Sequence, residues 1–172
     1  ITFVTTSRQP HMEIRTANGS TPTIRWHWGD GTEQTGVLVA SHDFGSTGLF
    51  TNYVEVIPPD SVTYFGAERS QIDQGVKSVF GLTNFLRLNF LYLYQESVSD
   101  LSLAGCSNLV QLHLAANPVP VSVCDQWFID LDKAVAGPVA NADFHYPASR
   151  RSSASDAAWT SLVSKGYKMY PH

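Results

Sequence analysis

The chain has 172 residues, 43% of them apolar, with 15 acidic and 11 basic side chains and a net charge of −4. Such a composition is globular and sets aside disordered and collagen-like chains. No apolar run approaches the ~20 residues of a membrane-spanning helix, and the negative balance offers no general attraction to nucleic acid or to an anionic membrane.

From the start of the chain, five alternating segments appear: Ile1–Thr5, Met12–Thr16, Thr23–Trp28, Val37–Val39 and Tyr53–Ile57. Turn residues separate them, among them Asn18-Gly19 and Gly29-Asp30-Gly31, which predicts a small antiparallel β-sandwich over residues 1–58. So thin a core calls for an aromatic centre, and Trp26, Trp28, Phe44, Phe50 and Tyr53 are the rings available. Pro58-Pro59 then predicts a short, stiff connection to a second unit over residues 59–172.

Beyond Asp60 a longer period takes over. A shift of 21 superimposes Leu88, Leu91, Leu93, Glu96 and Val98 on Leu109, Leu112, Leu114, Asn117 and Val119. The same shift places Phe80 and Leu82 under Leu101 and Leu103, Ile72 under Leu93, and Leu103 under Cys124. One such unit cannot bury its leucines alone, so the expectation is a stack of coils with a shared core, closed by the remaining chain. Closure is expected from a helix capped by Asp125, with Phe128, Leu131 and Val135 on its inner face and Gly137-Pro138 as its stop. A strand at Ala142–Tyr146, a polar loop at Pro147–Ser155, a helix with Ala158, Leu162 and Val163 on one face, and a strand at Tyr167–Tyr170 complete the reading.

Two resemblances rest on these residues. The form L-x-x-L-x-L-x-x-N-x-V, cleanest at Leu109–Val119, resembles the leucine-rich repeats of bacterial surface and prophage-associated proteins, and the ending Ala157 to Tyr167 is similar to the cap of such repeats. The string Trp26-His27-Trp28-Gly29-Asp30-Gly31-Thr32, followed by Ser41-His42-Asp43-Phe44 and by Gly48 to Val56, resembles the polycystic-kidney-disease-type (PKD) β-sandwich. Together they imply a mixed, mainly β fold: a PKD-like sandwich at 1–58, then a short leucine-rich-repeat α/β solenoid with a helix–strand C-terminal cap at 59–172.

Motifs for catalysis are missing: the sequence holds no H-E-x-x-H, G-x-S-x-G, G-x-x-x-x-G-K-[ST] or G-x-G-x-x-G. Asp30 and His42 read as turn and packing residues, and the six histidines show no i, i+4 pair for a metal. Cys106 and Cys124 read as small buried hydrophobes, with a disulfide between them left open by their spacing. No cofactor and no metal are expected.

What remains is surface. Alternation on the repeat strands turns Phe90, Tyr92 and Tyr94, and beside them Gln111 and His113, out of the core phase. These five are the expected ligand-binding residues, unless the front module or the Pro147–Ser155 loop covers them. The function expected is non-catalytic recognition of a protein or glycan, in an extracellular or cell-surface setting fitting the low charge content, by what is read as part of a larger chain. A structural spacer in a larger surface or phage-related protein, and an accessory fragment of a secreted hydrolase, are the alternatives.

Overall fold

In the computed structural model, which describes residues 1–67 and 75–172, the front of the chain forms β1 (Thr2–Thr5), β2 (His11–Thr16), β3 (Thr23–His27), β4 (Glu33–Thr35), β5 (Val39–Ser41) and β6 (Phe50–Ile57). Alternation decides which side chains turn inward. In β6, Asn52, Val54 and Val56 are buried while Thr51, Tyr53, Glu55 and Ile57 face solvent. The expected segment at Val37–Val39 resolves into two strands instead, β4 before it and β5 at its end, with Gly36 at φ 74° between them. Of the expected aromatic centre, Trp26 and Trp28 are buried and stacked at 6.2 Å, whereas Phe44 is half-buried against Phe50 and Tyr53 points outward. Tyr53 fails to enter the core because its neighbours Asn52 and Val54 hold the inward phase.

A cis peptide at Ile57-Pro58 and a 3₁₀ turn at Pro59–Ser61 lead into β7 (Val62–Ala67). Then come β8 (Val76–Phe80), β9 (Phe90–Tyr92), β10 (Asp100–Leu101), β11 (Gln111–His113), α1 (Val121–Ala134), β12 (Ala142–Tyr146), α2 (Asp156–Ser164) and β13 (Tyr167–Pro171). The position expected to extend the leucine pattern at Ile72 lies outside the described residues.

The fold expected, a separate sandwich followed by a capped repeat solenoid, is not the one observed. The described strands belong to two mixed sheets, ordered β10-β8-β1-β6-β3-β4 and β13-β12-β11-β9-β7-β2-β5. Each sheet draws strands from both sides of residue 58: β1 pairs antiparallel with β8, and β7 pairs antiparallel with β2 and parallel with β9. The 21-residue period survives in the parallel register of β9 on β11, with Leu91 opposite Leu112. β9 and β11 bury their leucines by extending a sheet begun in the front half, next to β7 and β2, rather than by stacking on further coils.

The expected C-terminal cap is likewise part of these layers, since β13 is the edge strand beside β12 and α2 packs on α1. Phe3 meets Phe65 at 6.2 Å between the sheets. Helix α1 packs on the seven-stranded sheet, with Phe128 on Phe144 at 4.8 Å, and reaches the edge strand of the six-stranded sheet, where Trp127 donates to the Leu101 carbonyl at 3.1 Å.

Helix α1 begins four residues before the expected cap, after Pro120, so that Cys124, Trp127, Phe128 and Leu131 all face the core. Asp125, inside the helix, instead accepts from the Ser152 amide (2.9 Å) and from the hydroxyls of Ser152 (2.5 Å) and Ser155 (2.6 Å). In α2, Ala158 and Leu162 are buried but Val163, one step of about 100° further round, is exposed. Gly166, at φ 103°, then turns the chain into β13 where an added Cβ would lie 2.5 Å from the Val139 carbonyl oxygen.

The turns of the leucine-rich segment are held from within. Asn117 is buried, donates to the carbonyls of Leu93 (2.7 Å) and Leu114 (2.8 Å), and accepts from the Val98 amide at 3.0 Å. Glu96, one 21-residue step earlier, accepts from the Val76 amide at 3.1 Å. Backbone groups that a bend would strand in the core are thereby paired.

Candidate functional site

Parallel pairing sets the outer face of the seven-stranded sheet in rows. Tyr64, Phe90, Gln111, Asp143 and Lys168 stand in register across β7, β9, β11, β12 and β13. The next row is Gly66, Tyr92, His113, His145 and Tyr170. Alternation carries Leu91, Leu112 and Phe144 to the opposite, fully buried face, so an outward ring recurs on each successive strand. Gly66 is required in its row: a Cβ there would sit 2.9 Å from the Tyr92 Cβ and closer still to the Tyr92 carbonyl oxygen.

The second row is a ladder of rings. Centroids of Tyr92 and His113 are 5.0 Å apart, those of His113 and His145 4.2 Å with planes at 14°, and those of His145 and Tyr170 4.6 Å with planes at 17°. Tyr94 extends it past the end of β9, at 6.4 Å from Tyr92. His172 lies beside His145, its Nε2 2.9 Å from His145 Nδ1. Burial, then the neighbouring His172, lower the His145 pKa, with Asp143 acting in the opposite sense. At the other end of the sheet, Arg15 lies 4.6 Å over the Tyr64 ring and pairs with Glu13 at 2.6 Å.

All five expected ligand residues, Phe90, Tyr92, Tyr94, Gln111 and His113, thus fall on one face, each half-buried. The Pro147–Ser155 loop is not laid over them; it is bonded to Asp125 on α1. The face also gains Asp143, His145, Tyr170 and His172, which the sequence reading did not assign. Their outward phase in β12 and β13 was the available signal. Asp143 Oδ1, in the first row, is buried and has no hydrogen-bond partner among the described residues.

Elsewhere the polar groups brace turns. Asp30 accepts from the Thr32 amide (3.0 Å) and hydroxyl (2.8 Å) and lies 2.7 Å from His42 Nε2, while the His42 ring stacks on Trp28 at 5.2 Å. The Thr32 amide, then His42 and the Thr32 hydroxyl, hold the Asp30 carboxyl at about 2. Cys106 and Cys124 are both free and buried, their thiols pushed up to about 11 and about 12 by burial, with Asp130 and Asp125 adding to it. Among the described residues no three or more His, Cys, Asp or Glu side chains converge as a metal centre, and no helix is long and apolar enough to cross a membrane. No family model, curated protein or solved structure matches the chain.

Proposed function

We propose that this chain is a non-catalytic recognition module of an extracellular or cell-surface protein, and that it meets a protein ligand through the outer face of the seven-stranded sheet. The observation that carries this reading is the ladder from Tyr92 through His113 and His145 to Tyr170. Rings with polar tips on a rigid sheet supply contact area at low entropic cost. A protein ligand is favoured over a glycan because the rings spend their faces on one another: His145 is stacked between His113 and Tyr170 at 4.2 and 4.6 Å, so edges and polar tips remain for the ligand. Gln111, Asp143 and Lys168 in the adjoining row add hydrogen-bonding and charged groups of both signs.

The test is a binding screen of the intact chain on paired arrays of extracellular proteins and of glycans, repeated with Tyr94→Ala and Tyr170→Ala. Saturable binding to a protein, weakened at least tenfold by each substitution, is expected. Binding confined to glycans, or unchanged in both variants, overturns the reading.

A further inference from the structure

We propose that His145 and His172 form a chelating site for a divalent transition-metal ion of imidazole preference, copper(II) foremost. His145 Nδ1 and His172 Nε2 already face each other at 2.9 Å. Two metal–imidazole bonds of about 2.05 Å meeting at a right angle hold their nitrogens about 2.9 Å apart, the cis edge of the tetragonal geometry preferred by copper(II) and nickel(II). Tetrahedral zinc needs about 3.3 Å and a wider opening of the pair.

The His145 ring and the His172 backbone are anchored before any ion arrives. His145 lies within β12, its plane fixed by stacking on His113 at 4.2 Å and on Tyr170 at 4.6 Å. His172 is tied through its backbone: its amide donates to the Tyr146 carbonyl at 3.0 Å, and its carbonyl accepts from the Ala148 amide at 3.0 Å. The exposed His172 ring is the one that turns to bring its lone pair to the ion. Without metal, one ring donates its N–H to the other. On binding, that proton moves to the far nitrogen of the same ring, so both facing nitrogens become lone-pair donors and two neutral rings release no proton. Two imidazoles leave coordination positions for water, which makes this a site of modest affinity.

The experiment titrates the full chain with copper(II), nickel(II), zinc(II) and magnesium(II) separately by calorimetry, with electron paramagnetic resonance on the copper form. One copper per chain is expected, with hyperfine structure from two equivalent-type nitrogens, weaker nickel and zinc binding, and none of magnesium. The copper site is lost in His172→Ala and in His145→Gln and kept in His27→Gln, with unfolding temperatures confirming that each variant is folded. Absence of saturable copper binding, or equal affinity in His172→Ala, overturns the assignment. Because the probe is the ion alone, its failure leaves the protein-ligand reading of the face standing, and the reverse holds as well.

Discussion

Asn117 shows how one side chain can decide a bend. It is 2% exposed and serves four backbone groups in the core, three carbonyls and one amide. Asn117→Ala strands them and is expected to cost about 2–3 kcal/mol, read as a lower urea midpoint. Asn117→Asp keeps an acceptor for the Val98 amide but turns an oxygen toward the carbonyls of Leu93 and Leu114, so it should not rescue. Asp30 acts at a surface turn and is a matter of pH. Its carboxyl lies at about 2 in the folded chain against 3.8 for the free group, so its contribution is complete above about pH 4 and is lost as the pH falls toward 2. Thermal unfolding from pH 2 to 7 should therefore show Asp30→Asn less stable than the parent at pH 6 and the two converging near pH 2.

At the scale of elements, α1 joins the two halves of the core. Trp127 is fully buried and its ring nitrogen bonds the Leu101 carbonyl on β10. Trp127→Ala should lose about 3–5 kcal/mol through the cavity, whereas Trp127→Phe, which keeps most of the bulk but not the donor, should lose distinctly less; denaturant unfolding separates the two contributions. Some of this was legible in the residues. Alternation located β2, β3, β12 and β13 within a residue or two, and the 21-residue shift was the register of β9 on β11. The start of α1 was not, because an acidic residue ahead of an apolar run imitates a cap, while Asp125 is employed on Ser152 and Ser155 across the fold. The site was legible to the same extent. Phe90, Tyr92, Gln111 and His113 share one fixed offset, but β11 to β12 is offset by 32 and β12 to β13 by 25. No constant period could have brought His145 and Tyr170 to the same row.

For the molecule as a whole, the decisive pairings are those no local pattern announces. β1 with β8, and β2 with β7, join segments about fifty to seventy-five residues apart, and the alternation of each strand is satisfied equally well by a closed sandwich or by a shared sheet. Shared sheets make the two halves dependent on each other. Unfolding in urea should be one cooperative transition, coincident by far-ultraviolet circular dichroism and by tryptophan fluorescence, since Trp26 and Trp28 report the front and Trp127 the rear. Two separated transitions would show independent units.

The placement of β1 and β13 also has a mechanical side. β1 lies inside its sheet, bonded to β6 on one edge and β8 on the other, while β13 is an edge strand held by β12 alone. Under tension along the chain, β13 peels from a single ladder, whereas β1 must shear two at once. Pulled from its two ends, the chain should yield first at β13, the strand that bears Tyr170, and optical-tweezer traces should show that small, early release ahead of the main rupture.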